Sequence, residues 1–366
     1  MKRFVKVLSV GLCVSMVTFF VSIPVLAEPA ESMLMPFQDG TEKPDILMAS
    51  SYELPAYSVK GSVLVNGQEN TLYATFDDAA GALESFKTQW SDYLNKVAST
   101  YGVGSLTVEN WEVFYGYALQ YMAETADFSD ADAQAMDAFS RFIDIYENQK
   151  KNDEIMALLE SRTVIDSSEL AIILPYTSPA YEEYQNNRVQ LQPRSGFNVS
   201  AGVEYAAKYA RNHNDYLHYY YFSNGDCANF ASQILEAGGV QQEVYDSEYM
   251  GWWHKFLVLH THSQSWTMAD VWARYQGIYA KTSSLNTFSG SLQDGDFIGF
   301  DKERDGDIDH IGFVTFLGTY NTYNGKYYRD FAVAQHTGDY YAWVSWDENG
   351  WDNLDGAVDY VRLRRS

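Results

Sequence analysis

Downstream of residue 27 the chain contains one cysteine, Cys227, so no disulfide can close within that stretch and the fold must be held by burial alone. The boundary matters because residues 1–27 read as a secretory signal peptide. Lys2, Arg3 and Lys6 form a basic start, residues 7–26 are mostly apolar, and Val25-Leu26-Ala27 supplies a small-residue cleavage site before Glu28. Cys13 lies inside that segment. The expectation is a secreted protein, extracellular or cell-wall associated, with no stable membrane anchor after signal cleavage. In an oxidising compartment a leftover thiol is a liability unless it is buried or used, so Cys227 is the residue to explain.

Charge and composition narrow the classes further. The formal net charge is −24, and loss of the signal removes three basic residues and no acidic one. So negative a chain has no electrostatic attraction for nucleic acid, which is excluded as a partner. The length predicts two parts. Residues 28–190 read as a mainly helical N-terminal region: a flexible lead over 28–50, a hairpin around Asn66-Gly67, and helical periodicity from Asp77 to about Arg162, with Ser129 as an N-cap. "ELAIILPY" reads as a strand and "TSPAYEEYQNNRVQLQPRSG" as a linker. After Gly196 the composition shifts. All seven histidines and seven of the nine tryptophans lie beyond it, so chemistry is sought in residues 196–366.

That second part reads as an α+β domain. "AGVEYAAKYARNH" and "CANFASQILEAGG" are helical, the latter ended by Gly238-Gly239. "DGDFIGF", "HIGFVTFLG", "YYRDFAVAQHT" and "AVDYVRLRR" read as strands, the middle two joined at Asn324-Gly325. A helix starting at Cys227 puts its sulfur beside unpaired amides and the positive end of the helix dipole, both of which favour thiolate. Asp226 is the cap, and its charge opposes that effect unless it turns toward the amides. His310, opening a strand in "DHIGFV", is the expected base, and together they make a thiolate–imidazolium pair with a built-in general acid. The imidazole needs an acceptor on its other nitrogen; His336 in "AQHTGDY" suits that role, with Asp339 and Gln335 as alternatives. The Cys227 amide and the Asn224 side chain are the expected oxyanion donors, and Trp252, Trp253 and Trp266 the expected walls of a substrate cleft.

The stretch "GVEYAAKYARNHNDYLHYYYFSNGDCANFASQILEAGG", with "MGWW", "SQSWTMADVW", "DGDFIGFDKERDGDIDHIGFVT" and "AVAQHTGDY", resembles the amidase-domain family of secreted bacterial proteins. That family is similar to papain-like cysteine peptidases and to NlpC-type cell-wall hydrolases. The resemblance covers about residues 196–366 and implies a papain-like cysteine hydrolase domain with Cys227 as nucleophile, His310 as base and His336 as third member. Asn224, Ala228 and Ala231 depart from the family pattern, which bears on substrate preference more than on the nucleophile. The expected function is a secreted cysteine-dependent amide hydrolase acting through an acyl-enzyme on peptide or cell-wall peptide, with no cofactor required. The alternative is a catalytically inactive extracellular binding module that uses the aromatic cleft alone. Separately, "DKERDGDIDHIG" offers Asp301, Glu303, Asp305 and Asp309 at calcium-loop spacing, with Gly312 where a bidentate Glu belongs, so the expectation there is a partial structural calcium site.

Overall fold

A computed structural model of the chain describes residues 34–36, 54–59, 61–125, 128–161, 165, 167–191, 196–214, 219–222, 225–255 and 261–363. The expected signal peptide, most of the lead and Asn224 lie outside the described residues. Strands β1 (Tyr57–Val59) and β4 (Ala74–Phe76) pair antiparallel. Between them β2 (Ser62–Val65) and β3 (Gln68–Thr71) form a hairpin that turns at Asn66 and Gly67, with φ of 51° and 83°. Positive φ at both central residues matches the right-handed twist of the strands, and Asn-Gly adopts it at little steric cost.

Helices α1 (Ala79–Gln89), α2 (Ser91–Tyr101), α3 (Trp111–Glu124) and α4 (Asp130–Ser161) follow, as the periodicity predicts. Ser129 starts α4 with a reciprocal cap: its hydroxyl accepts the Asp132 amide at 3.2 Å, and the Asp132 carboxylate accepts the Ser129 hydroxyl at 2.7 Å. The apolar faces meet in a core built on Phe76, Phe86, Phe139 and Phe142.

Two stretches depart from expectation. The residues read as a strand, 169–176, overlap helix α5 (Ser167–Ile173), and those read as a linker contain α6 (Pro179–Leu191). A short apolar run cannot by periodicity alone be told from a buried helix. The missed signals were local: Glu169 sits in the first turn of α5, and Pro179 takes the first helical position of α6 behind Ser178, whose hydroxyl accepts the Tyr181 amide at 3.3 Å.

The second part opens with α7 (Val199–Tyr209) and α8 (Cys227–Ala237), then the short strands β5 (His254–Lys255) and β6 (Thr261–His262) and helices α9 (Gln264–Thr267) and α10 (Ala269–Gln276). After β7 (Ala280–Thr282) and α11 (Leu285–Ser291) come β8 (Phe297–Asp301), β9 (His310–Tyr323), β10 (Lys326–Gln335), β11 (Tyr340–Trp343) and β12 (Asp359–Arg362). The sheet runs β11-β10-β9-β8-β12-β7, antiparallel throughout. One face is covered by α7, α8 and α10, with Phe230, Ile234 and Trp272 against Phe297, Ile311 and Phe313. The other buries Ile298, Phe300 and Val333 under α11 and the single-turn helix Trp351–Leu354.

The expected boundary between the two parts is not a break in packing, because Leu34–Ser366 forms one compact unit. One face of α4, carrying Arg141, Asn148 and Lys151, lies against the β8–β9 loop. Arg141 Nε donates to Glu303 at 2.8 Å, Asn148 Nδ2 donates to Asp305 at 2.7 Å, and Lys151 pairs with Asp307. Among the described residues no helix is long and apolar enough to cross a membrane.

Candidate active site

Helix α8 begins at Cys227, directly after Asp226. The Asp226 carboxylate does not cap the helix. Its Oδ1 accepts the Phe222 amide at 2.9 Å and the Asn229 side-chain amide at 2.8 Å, and its Oδ2 lies 2.5 Å from His336 Nδ1. The Cys227 sulfur is left to receive the backbone amides of Cys227, Ala228 and, across the helix–sheet junction, Ile311. These donors favour thiolate, but burial outweighs them: the residue is 8% exposed, and lost solvation, reinforced by the Asp226 charge, pushes the thiol up to about 11.

Ile311 is the residue after His310, so thiol and imidazole flank the first turnings of β9. Ile311 belongs to the α8 side of the sheet, and the His310 ring lies over Phe300 and Trp351 on the other, with ring centroids 5.4 and 6.1 Å away. Gln335 hydrogen-bonds the imidazole, while Nε2 is buried without a partner among the described residues. The bond therefore falls on Nδ1. Gln335 Oε1 also accepts Trp351 Nε1 at 2.9 Å, so the amide is oriented with its oxygen inward. That arrangement fixes the tautomer with the proton on Nδ1 and leaves the Nε2 lone pair free. Burial lowers the His310 pKa to about 4 against the raising effect of Gln335. The resting pair is thus a neutral thiol and a neutral imidazole with no hydrogen bond between Sγ and Nε2. Burial pushes the thiol up and the imidazole down, which works against the expected thiolate–imidazolium pair.

The side chain that hydrogen-bonds His310 is Gln335, the alternative one residue before the expected His336. His336 has both nitrogens engaged, Nδ1 with Asp226 and Nε2 with the Tyr209 carbonyl at 2.9 Å, and its ring stacks on Phe230 at 3.9 Å. Both partners are acceptors, an arrangement that favours the imidazolium, whose charge offsets the carboxylate next to Cys227. Burial alone lowers its pKa, but the hydrogen bond and charge of Asp226 overcome that and raise it. Asp339, the other alternative, accepts the Thr337 amide at 3.0 Å and faces His213 at 3.3 Å.

One prediction follows directly. Alkylation of Cys227 by iodoacetamide is expected to be slow near neutral pH and to accelerate toward about 11, where the thiol ionises. Rapid labelling in mildly acid solution rules out the neutral pair.

Against this geometry the comparisons with known proteins can be set. Residues 196–358 match the family model described as "Putative amidase domain". An amidase is a hydrolase, so the match points this part of the chain to hydrolysis. The chain is also 29% identical over 174 residues to the uncharacterized protein YhbB of Bacillus subtilis (strain 168), a stretch that is 44% of this chain and 52% of that protein. The chain thus spans about half the length of the curated relative it matches. No solved structure matches.

The three tryptophans expected to wall a cleft are core residues instead. Trp252, Trp253 and Trp266 are 1%, 5% and 0% exposed, and their indole nitrogens donate to Ser232 Oγ, the Met250 carbonyl and Asn229 Oδ1. An aromatic residue whose polar atom is satisfied inside the protein offers no surface to a ligand. Among the described residues a cavity of about 730 Å³ lies between α4 and the sheet, lined by His310, Asp309, Asp270, Tyr115, Asp144 and Lys151 among others, and not by Cys227.

The acidic loop also differs from the calcium-loop expectation. Asp301 accepts the amides of Asp305 and Gly306, both at 3.1 Å, and the Tyr176 hydroxyl at 2.7 Å, so it closes the turn. Asp305 accepts from Asn148 and from the Asp307 amide. These two carboxylates are consumed by the loop. Glu303 and Asp309 instead converge with Asp144 of α4, the three offering ligand atoms within 4.8 Å of one another. Burial, together with neighbouring acidic charges, raises the Asp144 and Asp309 carboxyls well above their usual range. Asp144 was missed in a region that offers no histidine or cysteine. The available signal was a polar stripe, Arg141, Asp144, Asn148 and Lys151, at three- and four-residue spacing on one face of a helix.

Proposed function

We propose that residues 196–363 form a papain-like cysteine amide hydrolase of an exported protein, acting through an acyl-enzyme on peptide or cell-wall peptide. The observation that carries this reading is the buried Cys227 sulfur at the start of α8, toward which the amides of Cys227, Ala228 and Ile311 point, with His310 and its free Nε2 one residue away on the opposite face of the start of β9. The amidase-domain match over residues 196–358 supports it.

With both groups neutral at rest, attack proceeds by general-base catalysis. At rest Sγ and the His310 ring lie on opposite faces of the start of β9, so the proposed attack requires the strand end to turn on substrate binding and bring Nε2 to the thiol. Nε2 takes the proton as Sγ bonds to the carbonyl carbon, and the oxyanion is held by the Cys227 amide. Collapse breaks the C–N bond, and Nε2 returns the proton to the leaving nitrogen. A water then attacks the thioester, giving its proton to Nε2, and the thiol is regenerated as the carboxylic acid departs. The buried tryptophans do not form the aromatic cleft that the alternative, a ligand-holding module, was expected to use.

The test uses soluble fragments of bacterial peptidoglycan and a mixture of N-acyl-peptide amides, with products and intact protein followed by mass spectrometry. Wild-type protein is expected to release amine and to show a transient acyl adduct on Cys227. Cys227→Ala is expected to lose turnover by at least about 10⁴-fold. Full hydrolysis by Cys227→Ala overturns the reading.

A further inference from the structure

We infer that Asp144, Glu303 and Asp309 bind a hard divalent cation, calcium ahead of magnesium, between α4 and the start of β9. Ligand atoms from the three carboxylates lie within 4.8 Å of one another, a separation compatible with one coordination sphere of calcium–oxygen bonds of about 2.4 Å. Crowding alone does not make a site. The second observation concerns oxygens that lack partners. Glu303 is 6% exposed, and its Oε1 is taken by Arg141 at 2.8 Å, yet its Oε2 is buried with no partner among the described residues. Asp144 Oδ2 is buried in the same condition. Buried acceptors with free lone pairs, on carboxylates whose ligand atoms come within 4.8 Å of one another, are costly unless something positive stands near them.

The neighbouring carboxylates show how the protein settles the same problem where it needs no ion. Asp144, Glu147 and Asp307 also approach one another, but there Lys151 pairs with Asp307 and lies 2.7 Å from Glu147. Lys302 is likewise committed to Asp137. The charges of Lys302 and Arg141 act on Glu303, and Arg141 satisfies its Oε1, yet Glu303 Oε2 and Asp144 Oδ2 have no partner among the described residues. An all-oxygen, carboxylate-rich donor set suits calcium, whose larger sphere tolerates irregular ligands and accepts water at the remaining positions; magnesium demands near-octahedral order.

The ligands come from both parts of the chain. Asp144 lies on the N-terminal helix, and Asp309 immediately precedes His310. A bound cation would therefore tie α4 to the strand end that carries the candidate base, and the site does not depend on the hydrolase reading.

The experiment takes the signal-free chain, strips it with a chelator, and follows thermal unfolding during titration with calcium or magnesium. Calcium is expected to raise Tm by about 5 °C at a hundredfold excess over Kd, and magnesium by less. Terbium luminescence, displaced by calcium, reads occupancy directly. Asp144→Asn and Glu303→Gln each remove one charge at nearly constant shape, and each is expected to abolish both the calcium shift and the terbium signal. Asp144→Asn relieves repulsion within the cluster, so it folds without metal. Absence of any shift and any terbium signal in the wild type overturns the inference, as does a calcium shift that persists in both variants, or tighter binding of magnesium.

Discussion

Replacing His310 by Ala is expected to lower kcat/KM for amide hydrolysis by about 10²- to 10⁴-fold, the range supplied by a positioned general base. In the proposed mechanism the imidazole acts in the attack step, so the loss should fall on kcat. Two controls separate this from damage to the fold. Gln335→Leu removes the acceptor at Nδ1 while leaving the ring in place, so the tautomer is no longer fixed and the base is mispositioned; a loss on the order of 10²-fold in kcat with little change in KM is the expected result. The second control is the pH profile of Cys227 alkylation. In a resting ion pair, loss of His310 would shift that profile upward. In the neutral pair described here the thiol is set by burial and by the amides of Cys227, Ala228 and Ile311, so the profile should stay where it is. Steady-state kinetics beside iodoacetamide labelling of the same preparations checks both. Wild-type turnover in His310→Ala removes the imidazole from the mechanism.

The legibility of this site in the sequence depended on range. Cys227 at a helix start and His310 at a strand start were readable because each rests on a few adjacent residues, as were the Asn66-Gly67 and Asn324-Gly325 turns and the Ser129 cap. The choice between Gln335 and His336 was not. Neighbouring residues at a strand end face opposite sides of the sheet, and which one meets His310 depends on the register of β10 against β9, including its irregularities between Arg329 and Val333. The tryptophans failed for a different reason. Whether Trp266 faces a cleft or Asn229 is decided by where α8 packs, and amphipathic aromatics serve both settings. Asp144 lay furthest from reach, since its relation to Glu303 and Asp309 exists only after α4 docks on the β8–β9 loop. A polar stripe on one helix shows that a face has partners but does not identify them.

Asp226→Ala is expected to destabilise the protein by about 3–5 kcal/mol, the cost of leaving one member of a buried ion pair uncompensated. Asp226 and His336 are each 2% exposed at the side chain and lie 2.5 Å apart, so water screens them little. The carboxylate also accepts from Phe222 and Asn229, so its loss strips partners from the loop that leads into Cys227. The pH dependence identifies the charge. Because the folded pKa of His336 is raised above its ordinary 6.5, the contribution of the pair is fully present below about 6.5 and is lost as pH rises through the folded value. The stability gap between wild type and His336→Gln, measured by urea unfolding, should therefore be widest in mildly acid solution and shrink toward alkaline pH. The double variant Asp226→Asn/His336→Gln should recover part of the loss, since no charge is then left unpaired. A gap that grows with pH, or single variants that add without coupling, excludes the ion pair. The pair also bears on the nucleophile. The Asp226 charge already holds the Cys227 thiol upward, and His336 offsets that charge from the far side. His336→Gln should then slow Cys227 alkylation further at any given pH, whereas Asp226→Asn, where it folds, should speed it. A histidine that touches neither thiol nor base would thus set how readily the thiol gives up its proton, through the carboxylate that stands between them.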